Sequence, residues 1–198
     1  MDKPMDKKPL PTGNEPRKGY ESLVNLGVIP EGLTVDSVAL SSLARIELTE
    51  IEKLRSRALA PITASSGLVD DAISFEVETN IIPDKDVSDK LLFRAYEKNE
   101  LVGYALVVIG WPDKGAWVIQ HMIIDPERKG QGIGSGVVAA IEDFAVDSEV
   151  EASSIYAIPV QKSGAGFWEN KGYVDETQRH YLTVAGLDHE LVVYRKKQ

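Results

Sequence analysis

The sequence predicts an α/β fold of the α+β kind, a central mixed but mostly antiparallel sheet flanked by helices, and three stretches predict it. Residues 91–124 hold three strand-like apolar runs separated by short polar turns. Residues 116–145 read as strand, glycine-rich turn and helix, and residues 153–195 return to a strand, a short helix and a closing hairpin. No internal repeat or low-complexity block interrupts this order.

Composition bounds the rest. At 198 residues with 43% hydrophobic content the chain can bury one substantial core, and no composition break argues for a second. The expected division is a flexible tail at 1–19 and a single domain at 20–198. There is no cysteine, which excludes a disulfide scaffold, a thiolate metal site and a cysteine nucleophile. The longest apolar runs, such as Val102–Ile109, are too short to span a bilayer, and the charged N-terminus is unlike a signal peptide, so no membrane role and a cytoplasmic location are expected. A net charge of −9 disfavours nucleic acid as a partner.

Taken in order, Met1–Lys18 is rich in Pro, Lys and Asp and has too little apolar content to offset the entropy of ordering. Tyr20–Leu40 is read as a short helix near Tyr20–Leu26 or as irregular covering structure around the Pro30-Glu31-Gly32 turn. Ala44–Leu48 alternates as a strand does, and Thr49-Glu50-Ile51-Glu52 reads as a capping box that starts a helix running to about Ala60, before Pro61. That helix would bury Ile51, Leu54 and Ala58. The competing reading is one longer helix over Ser41–Ala60. Ile62–Lys90 has no steady period and is read as a loop with at most one helix, of the kind that lines binding sites.

From Leu91 the pattern is regular. Leu91–Glu97, Leu101–Trp111 and Ala116–Ile124 form an antiparallel meander with turns at Lys98-Asn99-Glu100 and Trp111–Gly115. The following helix shows its apolar face at Val137, Val138, Ile141, Phe144 and Ala145. Ser153–Pro159 is a strand, Ser163–Lys171 a helix ended by Gly172, and Val174–Thr183 with Leu187–Arg195 a hairpin around Ala185-Gly186.

The turn Lys129-Gly130-Gln131-Gly132-Ile133-Gly134-Ser135 joins a strand to a helix start. Its glycines let backbone N–H groups converge, and the helix adds unpaired amides and its positive end, which suits an anion such as phosphate. A Walker loop would need Lys-Ser/Thr directly after its last glycine, and the only nearby lysine, Lys129, precedes them. The dinucleotide fingerprint also fits poorly, because Pro126–Lys129 separates the strand from the first glycine. The remaining plain reading is a turn that only caps a helix.

Ile124-Asp125-Pro126-Glu127-Arg128 followed by Lys129-Gly130-Gln131-Gly132-Ile133-Gly134 resembles the acyl-CoA motif of the GCN5-related N-acetyltransferase (GNAT) family, with Lys in place of the first Gln or Arg. Gln161-Lys-Ser-Gly164-Ala-Gly-Phe167-Trp168-Glu-Asn-Lys-Gly172-Tyr173 is similar to the family's second motif. The element order agrees over about Ala44–Lys196. The resemblance implies a sheet splayed after the strand that precedes the CoA loop. It also implies acetyl-CoA as co-substrate without a metal, with Met122, Ile123 and Ile124 binding the pantetheine as an added strand would. Lys129, Gly130, Gln131, Gly132, Ile133, Gly134 and Ser135 would hold the pyrophosphate, and Gln161 and Trp168 would complete the cofactor site.

The resemblance implies N-acetyl transfer to a primary amine, expected here to be that of a small molecule. Such chemistry needs an uncharged amine, a donor for the thioester oxygen and a proton for the departing thiolate. The family's usual base position is Gln120 here, which can orient but cannot accept a proton. Its usual acid position is Trp168, which has no useful acidity and suits packing against the cofactor. His121, beside Gln120 on the opposite face of the strand, is the candidate base, against the plainer reading of a satisfied core histidine. His180, Tyr181, Glu169, Tyr104 and Tyr156 are further titratable candidates, Asp125 is read as a strand terminator, and Trp111 and Trp117 as core or pocket walls. His121, His180 and His189 show no metal-ligand spacing. Two alternatives stay open: acetylation of a protein or peptide, and a domain that binds acyl-CoA as a sensor without turnover. A homodimer through the edge of the closing hairpin is a further expectation.

Overall fold

The computed structural model of the protein describes residues 27–66, 89–147, 152–158, 164–176, 180–184, 187–191 and 193–197. The expected tail at 1–19, the segment Tyr20–Leu26 and most of the 62–90 loop lie outside them. The elements are β1 (Leu33–Ala39), α1 (Arg45–Ser66), β2 (Lys90–Glu97), β3 (Glu100–Ile109), β4 (Ala116–Ile124), α2 (Ile133–Asp147), β5 (Ser154–Ala157), α3 (Ala165–Asn170), β6 (Val174–Asp175), β7 (His180–Val184), β8 (Leu187–Leu191) and β9 (Tyr194–Lys197). Seven strands form one sheet in the order β1-β2-β3-β4-β5-β9-β6, and β7 and β8 pair separately. Within the large sheet β4 and β5 run parallel and every other pairing is antiparallel, so the sheet is mixed and mostly antiparallel as the sequence predicts.

The meander forms where the pattern puts it. Lys98 and Asn99 take φ of 49° and 67°, and Glu97 faces Glu100, which makes a two-residue turn whose twist matches that of the strands it joins. One face of the sheet packs on α2. Val137, Val138, Ile141, Phe144 and Ala145 are buried there with Phe93, Val107, Trp117 and Ile119. Phe144 meets Phe93 edge-on at 5.4 Å and Trp117 at 5.9 Å. Each such aliphatic or aromatic side chain contributes about 1.5–3 kcal/mol on burial. The other face packs on α1 through Ile51, Leu54 and Ala58, the three residues expected, against Leu92, Tyr104, Leu106 and Ile123.

Three expectations are corrected. Residues 45–48 are helical, so the expected strand Ala44–Leu48 does not form, and the longer-helix alternative is nearer the structure. Ile46 is 73% exposed, which removes the burial a strand reading needs. The helix start is fixed instead by Glu47, whose carboxylate accepts the Ala44 N–H at 2.7 Å, while the Thr49 hydroxyl donates back to the Arg45 carbonyl at 3.1 Å inside the helix. Glu47 also pairs with Arg94 of β2, which holds Asp36 of β1 through bonds of 2.9 and 2.6 Å. The Ala44 N–H first, opposed by burial and reinforced by Arg94, keeps the Glu47 carboxyl below its ordinary value. Burial works against the Arg94 charge, but Asp36 and Glu47 outweigh it and raise its pKa.

α1 also continues past Pro61 to Ser66, beyond the expected stop. Second, Leu33–Ala39 is a strand, paired with β2 from Leu33↔Glu97 to Ala39↔Leu91, where only irregular structure or a helix further upstream was expected. Third, the closing hairpin is divided. β7 and β8 pair antiparallel from His180↔Leu191 to Val184↔Leu187, and the expected turn residues 185–186 lie outside the described residues, but β9 enters the main sheet between β5 and β6. The edge strand on that side is β6, only two residues long.

Candidate active site

β4 runs through the middle of the site, and its register sets the geometry. Ile119 pairs with Val107 and His121 with Leu106, so Gln120 is an extra residue, a β-bulge. Before the bulge Trp117 and Ile119 pack into the α2 core; after it Met122 and Ile124 pack there, and Ile123 turns to the α1 side. Without the extra residue, alternation would send Met122 and Ile124 to the other face. Gln120 and His121 are buried, with 4% and 7% exposure. The expected opposition of their side chains rested on unbroken alternation, which the bulge interrupts.

At the same place β4 leaves β5. The parallel ladder runs from Ala116↔Ser154 to Ile119↔Ala157, and the Ile158 N–H donates to the Ile119 carbonyl at 3.0 Å. Beyond it, no described strand pairs with Gln120–Ile124 on that side. The splay expected after Ile124 therefore begins within the strand, at its bulge. Main chain along this edge borders a cavity of about 520 Å³.

The turn after β4 forms the rim of that cavity. Asp125 ends the strand, as expected of it: Oδ1 accepts the Glu127 N–H at 3.1 Å, and Oδ2 meets Arg57 of α1 at 2.9 Å. The Arg128 and Lys129 amides donate back to the Asp125 and Pro126 carbonyls at 2.9 and 3.5 Å, which tightens Pro126–Arg128 into a 3-10 turn. Gly130 and Gly132 then take φ of 80° and 83°, a conformation open to glycine at little cost. The Gly136 N–H donates to the Gly132 carbonyl at 2.9 Å, so the amides of Ile133, Gly134 and Ser135 precede the first intrahelical bond of α2. The start of a fifteen-residue helix, with its positive end, therefore stands at the rim of the cavity. A Cβ added at Gly134 would lie 3.5 Å from Met122 Cε and from the Phe167 ring, inside the cavity wall. This cradle fits a pyrophosphate at the rim and an extended arm along β4.

Most of the expected cofactor residues meet in this one cavity. Met122, Ile123, Ile124, Lys129, Gly130, Gly132, Ile133, Gly134, Ser135 and Trp168 line it. Gln131 is absent from the lining; its side-chain amide donates to the Glu127 carbonyl at 3.3 Å and stiffens the turn. Gln161 lies outside the described residues. Gln120 and His121 are not in the lining and sit directly before Met122. The sequence reading missed Ala58 and Leu59 of α1, Arg128, Ile158, Gly164 and Phe167 as lining residues. Arg128 and Phe167 stood inside the two motifs, which is a usable signal. Ala58 and Leu59 reach the site only because α1 packs across the sheet, and no local pattern carries that.

The remaining candidates sort by burial. Tyr104 is fully buried in the α1 core, Tyr156 has 6% exposure beside Val108 and Val118, and Trp117 is core. Trp111 is partly buried against that second group, and Glu169 is exposed. Burial, opposed by Arg195 at 5.3 Å over the ring, raises the Tyr156 pKa. The side chains of His180, Tyr181 and His189 lie outside the described residues. Among the described residues no group of three His, Asp or Glu could hold a metal ion, and no helix is long and apolar enough to cross a membrane.

Trp168 is a wall with a fixed back. It has 4% exposure and packs edge-on against Phe167 and Tyr173, each at 5.1 Å. Burial, and then the nearby Glu142 carboxylate, push the Tyr173 hydroxyl well above the ordinary phenol range. Lys196 of β9 pairs with Glu142 of α2 at 2.9 and 3.0 Å and lies 5.7 Å from the centre of the Tyr173 ring. The indole is thus held by α2, α3 and β9 together.

A strand edge opened by a bulge and an amide-lined helix start sharing one cavity define an acyltransferase type of site. The model of the Acetyltransferase (GNAT) family matches residues 62–173, more than half of the chain, and the chain belongs to that family. None of the curated proteins compared with it matches. Solved structures share the fold at low identity. A probable acetyltransferase from Staphylococcus epidermidis ATCC 12228 superposes with a TM-score of 0.61 at 10% identity, over 83% of this chain and 98% of that one. An acetyltransferase from Streptococcus agalactiae 2603 gives 0.58 at 17% identity, over 85% and 99%. The ribosomal-protein-S18-alanine N-acetyltransferase from Escherichia coli gives 0.54 at 13% identity, over 83% and 93%.

Proposed function

We propose that the protein is an N-acetyltransferase that moves the acetyl group of acetyl-CoA to a primary amine of a small molecule, by direct attack with no covalent enzyme intermediate. The observation that carries this is the continuity of the cavity. It runs from the amides of Ile133, Gly134 and Ser135 along Met122–Ile124 to the parting of β4 and β5. Bound there, acetyl-CoA would supply a thioester at that parting. The chain would hold it by main-chain amides at the rim and by the β4 edge along the arm, an arrangement that fixes a reacting carbonyl with little side-chain help.

Of the two β4 residues singled out for chemistry, Gln120 can orient but not take a proton, and His121 is the candidate base. Trp168 serves as a wall. Acetylation of a protein is the second reading, favoured by the fold shared with the S18-alanine enzyme. A screen of amines with acetyl-CoA, read as free thiol release, tests the proposal; tight CoA binding with turnover of no amine would mean a sensor. We also propose a homodimer through the β6 edge, which a monomer mass by light scattering at micromolar concentration would remove.

A further inference from the structure

We infer that Arg57 is a positioning residue for the acyl arm: through Asp125 it sets how closely the α1 wall stands to the open edge of β4. The inference rests on the acetyl-CoA reading above and adds to it a residue outside both sequence motifs. Asp125 is a fixed post. Its N–H donates to the Val102 carbonyl of β3 at 2.9 Å, and its Oδ1 accepts the Glu127 N–H at 3.1 Å, so sheet and turn hold it from two sides. Its other oxygen, Oδ2, takes Arg57 Nη2 at 2.9 Å. The Asp125 side chain is 8% exposed and that of Arg57 53%, so the arginine reaches in from the surface to a buried charge. Losing the guanidinium would leave that charge buried without its counter-ion, a costlier event than breaking a pair on the surface.

What makes this tie more than an ion pair of the fold is the residues that follow it. Ala58 and Leu59, next along α1, line the throat of the cavity behind the glycine rim, together with Ile123 of β4. Ala58 and Ile123 belong to one buried cluster, and Leu59 packs against it. The turn that starts at Asp125 carries Arg128 and Lys129 into the same lining. One carboxylate thus fixes the rim with one oxygen and the wall with the other. α1 has a second tie at its start, where Glu47 pairs with Arg94, and Ile51 and Leu54 are buried between the two ties. The helix therefore stays on the sheet without Arg57, and what loosens is the stretch that borders the arm. A slot whose walls stand at a fixed distance holds an extended thioester arm in one place, whereas a looser wall lets the arm spread over several.

The test is the dissociation constant for acetyl-CoA by calorimetry, with urea unfolding of each variant beside it. Arg57→Ala is expected to weaken binding about threefold to tenfold, and Arg57→Lys, which keeps the charge, to stay within about twofold of the parent. Asp125→Asn keeps an oxygen for the Glu127 N–H but loses the charge, so it should match Arg57→Ala, and the double variant should be no weaker than either alone. Glu47→Gln is the control: it unties the other end of α1 and should lower stability with acetyl-CoA affinity unchanged. Parent-like affinity in Arg57→Ala, with or without lower stability, overturns the inference. So does an Arg57→Lys protein as weak as Arg57→Ala, a double variant whose losses add, or a Glu47→Gln protein that loses affinity equally. In each of those cases acetyl-CoA still binds the parent and the cofactor reading stands. A parent protein that does not bind acetyl-CoA overturns both.

Discussion

The two ends of the cavity are made of different material. The rim is main chain: glycines at φ of 80° and 83° and the first amides of α2. The throat is side chain: Met122, Ile123, Ile158, Phe167 and Trp168, delivered by three separate elements. A rim of backbone depends on few side chains and binds what every acyl-CoA has in common. A throat of packed apolar groups is part of the core, so altering it disturbs the fold as well as the chemistry.

That contrast orders the expected effects. Trp168→Ala removes a buried indole packed on two rings and should lower stability by about 3–5 kcal/mol, read from urea unfolding, whereas Trp168→Phe should cost much less. Equal losses for both would mean that the indole is not a packed wall. Gly134→Val should act on affinity instead. Its backbone needs no left-handed angle, but the added methyl groups point toward Met122 and Phe167, so the CoA dissociation constant should rise tenfold or more, about 1.4 kcal/mol, with the melting curve nearly unchanged. Unchanged affinity in a folded Gly134→Val protein, measured by calorimetry, would reduce the turn to a helix cap.

A smaller effect belongs to the wall that α1 contributes. The folded Glu47 carboxyl titrates below its ordinary value of 4.5, so its stabilising contribution is complete above that value and is lost as pH falls through the lowered folded pKa. Melting temperatures followed from pH 6 to pH 3 should fall less steeply in Glu47→Gln than in the parent protein. Smallest of all is Lys129→Ala, which removes a rim charge. It should change CoA affinity by less than about 1 kcal/mol, and by less again in high salt. A loss as large as that of Gly134→Val would mean that charge, and not backbone, holds the anion.

The same contrast explains what could be read in advance. The α2 face and the β2–β4 meander follow from local periodicity, and the glycine turn from a short run with one mechanical meaning, so all three appear where the pattern puts them. β1 was missed because Leu33–Ala39 pairs along its length with β2, and its Asp36 is held by Arg94, fifty-eight residues away, a distance no local window spans. Ala44–Leu48 alternates like a strand, yet becomes helix because Glu47 reaches both the Ala44 amide and Arg94, a contact no window of sequence contains. The bulge at Gln120 leaves no mark in composition. Cofactor residues were therefore legible, whereas the α1 part of the throat was not.

The bulge has a consequence for how β4 tolerates change. What the strand must conserve is a count. The presence of an extra residue at 120, and not its side chain, leaves Met122 and Ile124 on the α2 side. Removing one residue between Ile119 and Met122 would exchange inner and outer sets for the rest of the strand, turning Ile123 toward α2 and Met122 away from it. Along this strand, substitution and deletion are different kinds of event: one changes a single side chain, the other the facing of every residue that follows.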